Sequence, residues 1–221
     1  MELLEPAGIQ SLAGSIIDLL PEFPKPKVRF DIEYLAETHD PVIPIAGPRI
    51  LPSKTFDEVA SRQFDIILVP GGATSQPDKV PKSVTNFIQK QAVHAQYIIG
   101  VCTGSWVLAG IPGILEGRRA TTNKYSFKEV KVELYSYDSL SLLTPTSQRT
   151  TSSDIQWVPK ARWVVDGNIW TSSGVTAGLD MAYAFLKVVA GEGFAAACKN
   201  LIELRAAGAE DDEFADVFGL V

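Results

Sequence analysis

The sequence predicts an α/β fold, a three-layer, flavodoxin-like sandwich with a mostly parallel central sheet. Two uninterrupted apolar runs, residues 65–69 and Tyr97–Val101, are typical of strands that are buried on both faces. A helical pattern at residues 83–95 lies between them, and a second helical pattern begins at Thr103. Because a helix follows each strand, we expect the two strands to run parallel in one sheet.

The first half of the chain supplies the other signals for this alternation. Residues 28–34 alternate apolar and polar side chains, as a strand with one covered face does. The run at residues 65–69 ends in Pro70-Gly71-Gly72, which predicts a sharp turn. The helix at residues 83–95 follows Pro81, a residue favoured near helix starts.

The second half predicts a hairpin and then helices. Residues 162–165 and 168–171 flank Asp166-Gly167, and a tight turn fits there because glycine tolerates positive φ. Val175–Ala190 reads as a long apolar helix, and residues 194–204 as another. We predict one domain over residues 1–204, followed by an acidic C-terminal tail at residues 205–221.

Composition excludes several classes of partner. The 221 residues carry a formal net charge of −6, which argues against binding to nucleic acid or to an acidic membrane surface. No apolar run approaches the roughly 20 residues that span a bilayer, and the first residues do not resemble a signal peptide. The two cysteines, Cys102 and Cys198, have no zinc-like spacing and cannot form a disulfide framework. A reducing, cytoplasmic location is the expectation.

The stretch Gly100-Val101-Cys102-Thr103-Gly104 matches a nucleophile elbow with cysteine as the nucleophile. At such a turn the side chain stands over the carboxyl end of the sheet, and the amides of the next helix favour a thiolate. Gly71 and Gly72 end a neighbouring strand and are candidate donors to a developing negative charge. The alternative is that Cys102 is a small core residue.

Three segments together resemble the ThiJ/PfpI superfamily, whose fold is that of class I glutamine amidotransferases. They are "DIILVPGG", "VCTGSWVLAGIPGILEGRRATT" and "DGNIWTSSGVTAGLDMA", and the resemblance extends from about residue 2 to residue 190. Within the superfamily the chain is most similar to the isonitrile hydratase group. That resemblance implies an enzyme that converts an isonitrile into an N-formamide without a cofactor or metal.

The same resemblance assigns roles to particular residues. Cys102 is the implied nucleophile, Thr103 positions water or an intermediate, and Glu5 stands in the segment Leu4-Glu5-Pro6 where the hydratases have an aspartate acid. Val175 is expected near the substrate pocket, where it either contacts the substrate or has a packing role. A small-molecule substrate and a homodimer are the partners that the resemblance implies.

No histidine is expected to complete a catalytic triad. His39 falls in a loop and His94 at the end of a helix, and Thr121-Thr122-Asn123 stands where amidotransferase-like members have a histidine. That departure speaks against amide hydrolysis by cysteine and histidine and suits the hydratase pattern. Two alternatives stay open: a glyoxalase-like or stress-related enzyme, and a scaffold or sensor domain without catalysis.

Two departures from the family concern the boundaries of the fold. Met1 lies only four residues before Glu5, so the family's first strand is expected to be missing, and Met1 is expected to be an internal methionine of a longer chain. Residues 132–148 form an insertion without clear periodicity. It is either a genuine surface insertion or a translated in-frame intron.

The remaining distinctive residues have structural interpretations. Asp180 is expected to support the long helix, with Arg118 or Arg119 as its partner. Cys198 lies in an alanine-rich helix and is expected to be buried and inert. The four tryptophans are expected to pack in the core or at a dimer interface, with a pocket lining as the alternative: Trp106, Trp157, Trp163 and Trp170.

Overall fold

The computed structural model describes residues 22–131 and 154–221. Glu5, the expected missing first strand and the expected insertion at residues 132–148 lie outside these residues. The described strands are β1 (Leu35–Ala36), β2 (Lys54–Thr55), β3 (Ile66–Val69), β4 (Tyr97–Val101), β5 (Arg119–Ala120), β6 (Gln156–Trp157), β7 (Trp163–Asp166) and β8 (Ile169–Ser172). The described helices are α1 (Lys82–Ala92), α2 (Gly104–Ala109), α3 (Phe127–Val130), α4 (Val175–Ala190), α5 (Glu192–Leu201) and α6 (Phe214–Val217).

The main sheet has the strand order β3-β4-β8-β7. Strands β3, β4 and β8 run parallel, and β7 pairs antiparallel with β8. Val69 lies opposite Gly100, and Val101 lies opposite Ser172, so the three parallel strands end level with one another. The predicted α/β fold with a mostly parallel sheet is confirmed.

Alternate side chains of the sheet pack against helices on its two faces. On one face Ile67, Val69 and Ile98 join a core that includes residues of α1 and α2. On the other face Ile99, Val101 and Trp170 pack with Met181 and Phe185 of α4. The period-two alternation of strand side chains therefore produces the predicted three layers.

The turn between β7 and β8 forms as the sequence predicts. Asp166 pairs with Ile169, and Gly167 adopts φ +61°, a conformation that glycine tolerates without a Cβ penalty. The predicted strand at Tyr97–Val101 and the predicted helix at Val175–Ala190 have the bounds observed in the structure.

The prediction of a strand at residues 28–34 is wrong. Regular pairing begins only at β1, which runs parallel to β2. The preceding segment instead contacts the helical layer: the Lys27 amide donates to the Ala190 carbonyl at 3.0 Å, and Phe30 packs against the α4 and α5 side chains. An alternating pattern predicts a covered face, but it does not specify whether a neighbouring strand or a helix supplies the contacts.

The predicted partner of Asp180 is also wrong. Arg118 forms an ion pair with Asp166 at 3.3 Å, whereas Asp180 binds Arg162, with an ion-pair distance of 2.6 Å and both side chains buried. The Asp180 carboxylate also accepts a hydrogen bond from the Ala207 amide at 3.0 Å. Residues 205–221 thus pack against the α/β core, and Asp212 within them is buried.

Candidate active site

Three chain segments meet at the edge of the sheet where the parallel strands end. Pro70 and Gly71 follow β3, Cys102 follows β4, and Ser173 follows β8. The register of the strands places these segments side by side. The carboxyl edge of a parallel sheet is the usual place for a ligand site in open α/β folds.

Cys102 adopts a left-handed backbone conformation, with φ +58°. We call the turn formed by residues 100–104 the Cys102 bend. A left-handed conformation costs an ordinary L-residue about 1–2 kcal/mol, so other contacts must hold it. The Cys102 carbonyl accepts hydrogen bonds from the Ser105 hydroxyl at 3.0 Å and from the Thr122 hydroxyl at 3.2 Å.

The glycines of the Cys102 bend are required for close packing. A Cβ atom on Gly104 would overlap the Val69 carbonyl oxygen and lie 2.9 Å from the Pro70 carbonyl carbon. A Cβ atom on Gly100 would lie 3.0 Å from a Leu108 methyl carbon and 3.1 Å from the Ser105 backbone. Neither glycine has positive φ, so the left-handed residue of the bend is the cysteine itself.

Gly71 brings the end of β3 against the Cys102 bend. A Cβ atom there would lie 2.7 Å from the Thr103 hydroxyl, 2.8 Å from the Thr103 amide nitrogen and 3.0 Å from Cys102 Cβ. Gly71 itself is exposed, and the Cys102 side chain is partly buried against the α4 face of the core. Cys102 therefore lies where the core meets the protein surface.

Thr103 and Gly72 are joined by a small hydrogen-bond network. The Gly72 amide donates to the Ser75 hydroxyl at 2.9 Å and to the Thr103 hydroxyl at 3.1 Å. The Thr103 hydroxyl lies 2.9 Å from the Ser75 hydroxyl and 3.3 Å from the Gly72 carbonyl. These bonds tie the turn after β3 to the first turn of α2.

The opposite side of the site is formed by the segment after β5 and by the start of α4. The Thr122 hydroxyl donates to the Cys102 carbonyl, and a Cβ atom on Gly174 would lie 3.5 Å from the side-chain nitrogen Nδ2 of Asn123. Val175 begins α4 beside Gly174, and 63% of it is exposed. Its exposed apolar side chain lies at the carboxyl edge of the sheet.

The two histidines contact other parts of the structure. His39 forms an ion pair with Glu58 at 3.0 Å, and the backbone of His94 is bonded to Gln91 at the end of α1. His94 precedes β4 and therefore lies toward the edge opposite Cys102. Across residues 22–131 and 154–221, no three acidic, histidine or cysteine side chains form a group that could hold a metal ion.

Cys198 contrasts with Cys102 in its burial and in its backbone conformation. It lies within α5 and is buried with Leu186, Phe194 and Ala195. Burial raises the pKa of the Cys198 thiol from 9.0 to about 11, because the apolar surroundings disfavour the thiolate. The prediction that Cys198 is buried in a helix is confirmed.

The structure thus brings together four of the predicted site residues: Cys102, Thr103, Gly71 and Gly72. Val175 lies at the same sheet edge, and Glu5 lies outside the described residues. Sequence reasoning missed Ser75, Ser105 and Thr122, which bind the backbone of the site. Ser105 was detectable as a hydroxyl in the first turn after the cysteine, but Thr122 had no local signal.

The fold and the cysteine-bearing edge define the class of protein. The chain belongs to the DJ-1/PfpI family, whose model matches residues 27–188. Among the described residues, no helix is both long enough and apolar enough to cross a membrane.

Two curated relatives are similar to this chain in sequence. Isonitrile hydratase from Pseudomonas putida is 35% identical over 68% of this chain and 56% of its own length. A deglycase from Pyrococcus horikoshii is 27% identical over 60% of this chain and 64% of its own length. The chain therefore spans less than two thirds of these two curated relatives.

Solved structures agree on the fold. A ThiJ/PfpI family protein from Pseudomonas syringae superposes with a TM-score of 0.61 at 25% identity, over 80% of this chain and 64% of that one. An AraC family transcriptional regulator from Pseudomonas putida gives a TM-score of 0.64 at 13% identity, over 91% and 90% of the two chains. At 13% identity the second likeness concerns the fold alone.

Proposed function

We propose that this protein is a cysteine-dependent hydro-lyase that converts a small isonitrile into an N-formamide without a cofactor. The observation that carries the proposal is the left-handed backbone of Cys102, with φ +58°, at the edge where three parallel strands end. Strained residues of this kind cluster at active sites. The 35% identity to an isonitrile hydratase supports the choice of substrate.

The proposed reaction has two stages. The Cys102 thiolate forms a C–S bond with the terminal carbon of the isonitrile while Glu5 protonates that carbon, which gives a thioimidate. Water then adds to the same carbon, the C–S bond breaks, and the thiolate leaves. One proton of the water returns to Glu5 and the other ends on nitrogen, so the product is an N-formamide and no electrons are exchanged.

The other predicted residues support this chemistry in different ways. The Gly72 amide already donates to Ser75 and Thr103. We therefore propose that the neighbouring Gly71 amide is the donor that stabilises the developing negative charge. Thr103 acts by holding the turn after β3 in place. Val175 offers an apolar contact to the substituent of the isonitrile.

Formamide production tests the proposal. The full chain is incubated with an aryl isonitrile, and the N-formamide is quantified by mass spectrometry for wild type, Cys102→Ala and Glu5→Gln. Cys198→Ala is the matched control, since it removes the other thiol from a buried helix position. We expect wild-type turnover with Cys198→Ala and none above background with Cys102→Ala; equal turnover by both cysteine variants would exclude the covalent route.

The deglycase relatives make carbonyl chemistry the second candidate. The same thiol is suited to attack a reactive carbonyl, and three deglycases from Pyrococcus species match this chain at 24–27% identity. Lactate formed from methylglyoxal, with no formamide from the isonitrile, would favour this candidate. If neither lactate nor the formamide is formed, a scaffold or sensor domain without catalysis is favoured. For either enzyme we propose a cytoplasmic homodimer.

A further inference from the structure

The C-terminal segment, residues 205–221, contacts the side of the candidate active site that is formed by the segment after β5 and by α4. The Ala209 carbonyl accepts from the Arg162 amide at 2.7 Å, and the Ala207 amide donates to Asp180 near the start of α4. Asp212 reaches the segment after β5, where it lies 3.2 Å from the Lys124 ammonium. A tail that only solubilised the domain would not bury such contacts.

The Lys124–Asp212 pair is almost completely buried. The side chains are 2% and 1% exposed. Burial lowers the pKa of Lys124, and the Asp212 carboxylate opposes that effect by stabilising the charged form. Because removing one member would leave the other charged and unpaired, the segment and the core are coupled at this point.

Lys124 connects Asp212 to Thr121 through a hydrogen bond. Its ammonium donates to the Thr121 hydroxyl and to the Ala161 carbonyl, both at 2.8 Å. The Thr121 hydroxyl donates to the Val158 carbonyl at 2.9 Å, and the Thr121 amide donates to the Thr171 hydroxyl at 2.9 Å. Thr121 is therefore held on three sides, and the next residue is Thr122.

Thr122 completes the connection to the cysteine. Its buried hydroxyl donates to the Cys102 carbonyl at 3.2 Å, whereas the other hydroxyl on that carbonyl, from Ser105, belongs to the bend's own helix. We propose that the C-terminal segment is a positioning element of the site, which uses the buried Asp212–Lys124 pair to hold Thr122 on the Cys102 carbonyl. The effect on turnover rests on the proposed function, but the effect on the thiol does not.

Paired substitutions separate positioning from stability. Lys124→Met with Asp212→Leu replaces the pair by apolar groups of similar size, a change that often preserves stability in a buried site. It also removes the donors to Thr121 and Ala161. Lys160→Met with Asp216→Leu is the matched control, because that pair also joins the C-terminal segment to the rest of the domain but is exposed.

The readouts are the denaturant midpoint, the rate constant for alkylation of Cys102 by iodoacetamide, and kcat and KM for the isonitrile. We expect the buried double variant to remain folded while alkylation of Cys102 and kcat each fall about tenfold, since a misplacement of about 1 Å can slow a reaction by up to about a hundredfold. KM should change little, and the exposed control should match wild type. A folded buried double variant with the wild-type alkylation rate would overturn the proposal.

A second pair of variants covers the case in which the buried double variant does not fold. Thr122→Val removes the hydroxyl that reaches Cys102 and keeps the Lys124–Asp212 pair, whereas Thr122→Ser retains a hydroxyl. We expect slower alkylation with Thr122→Val and a rate near wild type with Thr122→Ser. Equal rates for the two would overturn the proposal. If wild type alkylates as expected but makes no formamide, the proposed function fails and the positioning role stands.

Discussion

The two cysteines of this protein occupy opposite kinds of environment. Cys102 lies at a bend with φ +58° at the edge of the sheet, and Cys198 lies in α5, where burial raises the pKa of its thiol to about 11. The backbone at Cys102 is costly and is held by hydrogen bonds from Ser105 and Thr122, whereas the backbone at Cys198 is ordinary helix. The comparison teaches that backbone placement, more than residue type, separates a candidate nucleophile from a packing residue.

Alkylation should distinguish the two thiols most strongly. At pH 8, a pKa raised from 9.0 to about 11 leaves Cys198 with about a hundredfold less thiolate than an ordinary cysteine. We expect iodoacetamide to label the partly exposed Cys102 faster than the buried Cys198 in the folded protein, as measured by peptide mass mapping. In denaturant both should react at similar rates. Equal labelling of Cys102 and Cys198 in the folded protein would show that their environments do not separate their reactivities.

A glycine of the Cys102 bend and a glycine of the helix that holds Cys198 should respond to alanine substitution in opposite directions. Gly104→Ala places a methyl group against the Val69 carbonyl, and we expect it to lower the free energy of unfolding by about 3 kcal/mol. Gly193→Ala, in the first turn of α5, meets no atom within 4 Å and should raise it by about 0.5–1 kcal/mol. Urea denaturation measures both, and a neutral Gly104→Ala would mean that the bend tolerates movement.

Replacement of Cys102, but not of Cys198, should reverse the usual order of stability between the alanine and glycine variants. At position 102 glycine removes the left-handed penalty, so Cys102→Gly should be more stable than Cys102→Ala by about 1 kcal/mol. At position 198, in the middle of α5, Cys198→Gly should be less stable than Cys198→Ala by about the same amount. Thermal and denaturant unfolding of the four variants test this, and the same order at both positions would contradict it.

The last expected effect is a pH dependence of the unfolding free energy that comes from Cys198. Its folded pKa is raised, so between about pH 9 and 11 the unfolded chain loses the thiol proton while the folded chain keeps it. The stabilising contribution is complete below pH 9 and is lost as the pH rises through the folded value. We expect the wild-type unfolding free energy to fall more steeply in this range than that of Cys198→Ala, and parallel curves would refute the assignment.

Much of the fold could be predicted because its signals are local. The apolar strand Tyr97–Val101, the hairpin at Gly167 and the helix Val175–Ala190 depend on runs, turns and periodicity within a few residues. The segment at residues 28–34 had the pattern of a strand, but its environment is set by distant contacts with α4 and α5. A local pattern does not specify which neighbour will cover it.

Only the cysteine of the site and the glycines near it could be predicted from the sequence. The cysteine between two glycines and the glycines after β3 could be read directly, and they meet in the structure. The sequence did not indicate that the cysteine itself adopts positive φ, nor that Asp180 binds Arg162. It also gave no sign of the pair formed by Lys124 and Asp212, because each looks like a solvated surface charge until the tail is folded against the core.

The position of β4 in the sheet has a consequence for synthesis of the protein on the ribosome. It lies between β3 and β8, although β8 is translated much later. Until β8 emerges, a nascent chain has an apolar strand whose second edge has no partner from the main sheet, and such edges recruit other unfolded chains. The strand that presents Cys102 in the mature protein is thus a point of vulnerability to misassociation during translation.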